Sequence, residues 1–169
     1  MDVRLTNVVV RCNLGCMLNL KYVVSNVSNA IYNAKKYSGM IWRHRHIKST
    51  CFVFHTGSIM CMGNNSLHGA KKDLRKYARL LNKIGYPVVL QCIRVVTKSA
   101  VATLSGKLNM TEAAEVLRGR YDPEIFIAVM LRKGNTNFTC FHSGKVIITG
   151  VKKLKTLTEM LVDLEMFTL

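Results

Sequence analysis

The stretch Phe54-His55-Thr56-Gly57-Ser58-Ile59-Met60-Cys61-Met62-Gly63 returns 87 residues later as Phe141-His142-Ser143-Gly144-Lys145-Val146-Ile147-Ile148-Thr149-Gly150. The aromatic, the histidine, the hydroxyl and both glycines keep their order. Self-similarity at a fixed offset marks a duplicated structural unit. Upstream, Tyr32-Asn33 pairs with Tyr121-Asp122, Tyr37 with Phe126, and Arg43 with Arg132, each 89 residues apart. The second copy is therefore two residues shorter between Arg132 and Phe141. No Pro-, Gly- or Ser-rich linker separates the halves, which predicts repeats over 1–86 and 87–169 that join into one continuous body.

Within each half the elements follow from pattern. Asn7–Cys12 is a β-branched run and predicts a strand. Asn19–Ile31 has helical spacing. Gly39–His46 and Thr50–Phe54 predict strands, His55–Ser58 a tight turn, and Ile59–Met62 the returning strand. Leu67, Ala70, Leu74, Tyr77, Leu81 and Ile84 recur at helical spacing over 65–84, and Gly85 and Pro87 stop that helix. The second half repeats the order. Val88–Val96 and Val101–Leu104 predict strands, 111–117 a helical turn, and Ala128–Arg132, Phe138–Phe141 and Val146–Thr149 three more strands. A helix over 153–167 closes the chain. Antiparallel strands with one short and one long helix per half predict an α+β class, one sheet with helices on one face.

Composition narrows the function. The chain has 169 residues, 49% of them hydrophobic, so it can bury a core. It carries 25 Lys and Arg against 9 acids, a net charge of +16, as expected of a protein that meets a polyanion. The charge is concentrated in residues 1–85, which hold 14 basic residues and 2 acids. No apolar run reaches the roughly 18–20 residues of a membrane helix, and Met1-Asp2-Val3-Arg4 begins no secretory leader. Six cysteines beside a full core read as reduced thiols that pack as small hydrophobes. His44-Arg45-His46 and Cys12-x3-Cys16 lack a second ligand pair at zinc-finger spacing. No phosphate loop, Ser-His-Asp order or carboxylate pair stands out. Neither an enzyme, a metal site nor a cofactor is expected.

Several further pieces, taken in order, resemble the TATA-box-binding protein family. They are Asn7-Val8-Val9 with Asn13-Leu14-Gly15-Cys16, Ala30 to Tyr37, Arg75 to Pro87, Tyr121 to Phe126, and the Phe141 to Gly150 hairpin. The resemblance spans about Thr6 to Phe167. It implies a pseudo-twofold saddle whose concave antiparallel sheet grips the DNA minor groove, with helices on the convex side. This family is itself a standing example of minor-groove wedging and kinking, so the binding mode is carried over from the resemblance.

Residue roles follow on the same terms. The family's two intercalating aromatic pairs correspond to Tyr37 with Phe54 and Phe126 with Phe141; composition alone favours four core aromatics, and the repeat and the resemblance reverse that reading. Strand alternation puts Asn7, Val9 and Arg11 on one face. The implied minor-groove face comprises Asn7, Val9, Phe52, Met60, Met62, Thr97, Ser99, Thr139, Ile147 and Thr149. Arg43, Arg132, Lys145 and Lys152 are the implied phosphate contacts, and Ser58 stands where the second half has Lys145. Asp122, Glu124 and Ile125 match positions that contact the IIB-type general transcription factor. Lys72, Arg75, Lys76, Arg79 and Lys83 form a basic stripe, read either as a solvated face or as a docking face for regulators. The family centres an Asn in each half; here the second is Thr97, and Ser99 replaces a Val.

The resemblance thus implies a nuclear transcription initiation factor, or its counterpart at a site of viral transcription. It would bind A/T-rich promoter duplexes, kink them and nucleate a preinitiation complex. Expected partners are IIB-type and IIA-type factors and RNA polymerase-associated factors, with homodimerisation off DNA and no membrane. Two other readings fit the residues: a protein-interaction scaffold or decoy that has lost TATA-specific binding, and a basic sheet that stacks single-stranded RNA.

Overall fold

Ser66 starts the longest helix: its Oγ accepts the Gly69 N–H at 3.0 Å. A Schellman pair ends it, with Gly85 N–H donating to Asn82 O at 3.0 Å and Tyr86 N–H to Leu81 O at 3.3 Å, while Gly85 takes φ +109°. A computed structural model describes residues 2–169. The chain runs β1 (Asp2–Asn13), α1 (Leu20–Asn26), β2 (Ala30–Ile31), β3 (Met40–Trp42), β4 (Thr50–Val53), β5 (Ser58–Asn64) and α2 (Leu67–Lys83). It continues as β6 (Gln91–Thr103), α3 (Met110–Val116), β7 (Arg120–Asp122), β8 (Phe126–Lys133), β9 (Thr136–Phe141), β10 (Lys145–Thr149) and α4 (Leu154–Glu165).

Two units result. In the unit Asn7–Val96 the antiparallel order is β2-β3-β4-β5-β1. Its core sets Val8, Val10, Cys12, Cys51, Val53, Ile59 and Cys61 against Ala70, Leu74, Tyr77 and Leu81 of α2. Trp42 and Tyr77 meet edge to face at 4.9 Å. The buried Tyr77 hydroxyl lies 2.7 Å from Ser49 O and accepts the His44 N–H at 3.0 Å. Asp73, also buried, gathers three donors on its Oδ2: Ser49 Oγ (2.6 Å), Ser49 N–H (3.1 Å) and Asn64 Nδ2 (2.9 Å).

The second unit, Thr97–Leu169 with residues 2–6, has the matching order β6-β10-β9-β8-β7. Ala100, Ala102, Phe138, Cys140, Val146 and Ile148 pack on Leu157, Leu161 and Leu164 of α4. The duplication extends to the turns. Leu14 N–H donates to Gly57 O (2.8 Å) and Leu18 N–H to His55 O (2.8 Å); Leu104 N–H donates to Gly144 O (2.9 Å) and Leu108 N–H to His142 O (2.9 Å). Gly57 and Gly144 have φ of +87° and +80°. Both units are thus antiparallel sheets with helices on one face, the α+β class expected.

Some elements differ from the sequence pattern. The first helix stops at Asn26, because the run Val-Val-Ser-Asn-Val-Ser-Asn favours caps and strands over helix, and Ala30–Ile31 pairs as β2. β3 ends at Trp42, where Tyr77 takes the His44 N–H away from any strand partner. Val88–Leu90 lie outside any strand, and Gln91–Thr103 is one continuous strand through Lys98 and Ser99. The short strand β7 carries no pattern of its own and forms against β8.

Candidate nucleic-acid interface

Along β4, β5, β9 and β10, alternate residues turn to the core and to the face that no helix covers. Cys51, Val53, Ile59 and Cys61 are fully buried, while Phe52, Phe54, Met60 and Met62 are partly exposed. Phe138, Cys140, Val146 and Ile148 are likewise buried, with Thr139, Phe141, Ile147 and Thr149 open to solvent. The register joins the open residues into a row across each sheet. In the first unit it runs Ile31, Ile41, Phe52, Met60, Arg11. In the second it runs Arg120, Met130, Thr139, Ile147, Val101. Each position of one row corresponds to a position of the other at the repeat offsets.

Largely apolar open faces on a basic protein suit a surface with a smooth floor and anionic edges, as the minor groove of A·T base pairs offers. Ile41, Met130, Ile31, Val101 and Arg120 were not singled out from sequence. The strands carrying Ile31 and Arg120 are only two and three residues long and show no alternation of their own.

The four aromatics form two close pairs. Tyr37 and Phe54 meet edge to face at 6.0 Å, and Phe52 adds a third ring 6.3 Å from Tyr37. Phe126 and Phe141 meet at 6.4 Å. Neither Tyr37 (39% exposed) nor Phe126 (42%) is a core residue. A Cβ on Gly39 would lie 2.9 Å from both the Phe54 and Tyr37 rings, so the missing side chain is what lets this pair seat.

Asn7 Oδ1 accepts the Gly63 N–H at 2.8 Å, which leaves its Nδ2 as the outward donor. Register between β1 and β5 shifts between Val8 and Val10. Val8 and Val10 belong to the core cluster, and Val9 retains only 6% exposure while standing outside that cluster. Val9 therefore offers far less contact surface than simple alternation suggests. Thr97 and Ser99 are partly exposed on β6.

Arg43, Arg132, Lys145 and Lys152 are all exposed. Arg132 is tied to its own turn, its Nε donating to Gly134 O at 3.1 Å. Lys152 stands just before α4 and lines a cleft with Lys133 and Thr156. On α2, Lys72, Arg75, Arg79 and Lys83 are exposed and Lys76 is half-buried. Among the described residues every ion pair involves Lys133 or Lys155, so this stripe is uncompensated. At the β7–β8 tip, Asp122 Oδ1 accepts the Glu124 N–H at 3.2 Å, presenting Ile125 (74% exposed) and Ile127 (70%) on either side of Phe126.

Among the described residues no group of three or more His, Cys, Asp or Glu could hold a metal ion, and no helix is long and apolar enough to cross a membrane. Burial pushes the Cys12 and Cys140 thiols up to about 12, and the Cys51 thiol is also raised, chiefly by burial. These are unreactive packing groups.

Comparison with known proteins agrees with the geometry. Residues 2–84 and 92–164 match the family described as Transcription factor TFIID (or TATA-binding protein, TBP). TATA-box-binding protein 2 of Entamoeba histolytica is 33% identical over 157 residues, covering 90% of this chain and 74% of that protein. TATA-box-binding protein 2 of Arabidopsis thaliana is 32% identical over 152 residues, covering 88% and 76%. The solved structure of the Methanococcus jannaschii TBP matches with a TM-score of 0.87 at 26% identity, over 99% of this chain and 98% of that one. With its duplicated sheets, its matched aromatic pairs and this similarity along almost its whole length, the chain belongs to the TATA-binding protein family of transcription factors.

Proposed function

We propose that the protein is a transcription initiation factor that binds A/T-rich promoter duplexes through the minor groove and kinks them. The observation that carries this reading is the matched pair of open-face rows, each flanked by a solvent-accessible aromatic pair. Tyr37 with Phe54, and Phe126 with Phe141, wedge between base steps. Unstacking costs a few kcal/mol per step and is offset by contacts along the bent duplex. Phe52, Met60, Met62, Thr139, Ile147 and Thr149, with the edge of Val9, form the apolar floor. Asn7 donates to a base acceptor, and Thr97 and Ser99 take the corresponding place in the second repeat. Arg43, Arg132, Lys145 and Lys152 contact phosphates.

On this reading repeats 1–86 and 87–169 each hold one half of the site. Asp122, Glu124 and Ile125 receive an IIB-type factor, and the α2 stripe receives IIA-type or other acidic regulators. The complex then recruits polymerase-associated factors in the nucleus. Off DNA, the apolar faces favour a homodimer.

Fluorescence anisotropy with an A/T-rich duplex, its scrambled counterpart and the separate strands tests the reading. Duplex preference that weakens steeply with salt is expected. A preference for single strands would overturn it. The replacement of the second central Asn by Thr97 favours one alternative, a protein-interaction scaffold. That alternative predicts tight binding to an IIB-type factor with no duplex binding at all.

A further inference from the structure

Arg11 stands at the β1 end of the first unit's open row, beside Met60. With Arg94 it lines a cleft of about 480 Å³ whose other walls are Cys12, Asn13, Gln91, Cys92, Val95 and Val96. The two arginines border this one cleft from different strands, Arg11 from β1 and Arg94 from β6. Both arginines are exposed, and neither pairs with a carboxylate among the described residues. Two like charges in one cleft without a counter-ion make it a site for an anion. The cleft also holds Cys92 at φ +47°, one of three non-glycine residues with left-handed backbone among the described residues. Conformations of this kind cluster at functional sites.

The second unit is built differently. The 90-residue offset that relates Leu14 to Leu104 sets Val101 opposite Arg11 and Arg4 opposite Arg94. It therefore has one arginine where the first has two. Conversely, the second unit opens β10 with Lys145 where the first opens β5 with Ser58. Ser58 pairs with Asn13, two residues from Arg11 on β1. The first unit thus lacks a cation at its hairpin and has one on the neighbouring strand.

We infer that Arg11, with Arg94, forms a phosphate-binding cleft of the first unit that grips a nucleic-acid strand at a point where the second unit has no equivalent. The inference rests on the proposed duplex-binding function and adds to it a consequence: the two halves of a bound duplex are held by different phosphates, which gives the complex a polarity.

Methylphosphonate scanning tests it with the full chain. Single uncharged linkages are placed along each strand of an A/T-rich duplex and the affinity is measured for the wild type, Arg11→Val and Arg11→Lys. The wild type should lose affinity at a phosphate in one half of the duplex that has no symmetric partner. Arg11→Val should be blind to that linkage, and its salt slope should fall by about 0.9, the value of one lost phosphate contact. Arg11→Lys should restore sensitivity. Thermal melting should be unchanged in both variants, because Arg11 is exposed and makes no ion pair among the described residues. A footprint identical in wild type and Arg11→Val would overturn the inference while leaving duplex binding intact. Failure of the wild type to bind any duplex would overturn both.

Discussion

Asn7 and Gly63 are locked together across β1 and β5: the Gly63 N–H donates to Asn7 Oδ1 at 2.8 Å, so the side-chain amide keeps only its N–H2 donors for a ligand. This separates the structural role of Asn7 from its binding role. Asn7→Asp retains the acceptor for Gly63 but presents an anion to groove acceptors. It should melt within about 1 kcal/mol of wild type, while losing duplex affinity by the roughly 1–3 kcal/mol of a base-edge contact. Asn7→Ala should lose both. Calorimetry and anisotropy on the two variants check the split; equal duplex affinity for Asn7→Asp and wild type would remove Asn7 from the interface.

The turn glycines make a test of the duplication. A Cβ at Gly57 would lie 2.1 Å from Cys16 O, and one at Gly144 2.3 Å from Gly106 O, each at positive φ. Both neighbours are backbone and cannot yield cheaply. Gly57→Ala and Gly144→Ala should each destabilise by about 1–3 kcal/mol or more. Gly85 also has positive φ, but nothing lies within 4 Å of its Cβ position, so Gly85→Ala should cost only the backbone strain. Denaturant midpoints of the three variants should fall in that order.

Thiol chemistry reports the core. Cys92 is exposed, Cys16 partly covered, and Cys12, Cys51, Cys61 and Cys140 buried. A disulfide exchange reagent near pH 8 should modify Cys92 first and Cys16 more slowly, and reach all six only on unfolding. The pH dependence has a definite sign. Burial raises Cys12 and Cys140 from 9.0 to about 12, so the unfolded chain loses these protons first as pH rises. Their contribution is fully present below pH 9 and drains away between pH 9 and 12. The melting temperature should therefore drop across that window. A flat profile would show these thiols to be hydrated.

The basic stripe of α2 is predicted to act on partners and not on the fold. Arg75→Glu with Arg79→Glu removes two exposed cations that form no ion pair among the described residues. Stability should change by no more than about 0.5 kcal/mol per site. Capture of an acidic IIA-type factor, measured by surface plasmon resonance, should fall at least tenfold.

Long, strongly patterned elements were legible in the sequence. Helix α2 declares itself through its apolar spacing and its Gly85 stop, and the hairpins at Gly57 and Gly144 through their shared motif. The misreadings have local physical causes. Ala30–Ile31 and Arg120–Asp122 are strands only because a neighbour supplies the hydrogen bonds. The gap expected between Val96 and Val101 does not exist: β6 runs unbroken from Gln91 to Thr103. Val9 is covered although it stands outside the core cluster, which no single-strand pattern encodes. The aromatic pairs could be proposed from the repeat, but the seat that Gly39 leaves for them depends on three-dimensional contact. The cation shift from Ser58 to Arg11 becomes visible only once the β1–β5 register is known.

Bending of a short duplex, labelled at both ends and read by energy transfer, tests the central claim most directly. The wild-type protein should draw the ends of an A/T-rich duplex together. Phe54→Ala with Phe141→Ala, which empties one position of each aromatic pair, should leave the ends apart while retaining salt-dependent binding. Equal bending by the double variant would remove the aromatic wedges from the account, and an unbent duplex bound by the wild type would contradict it outright.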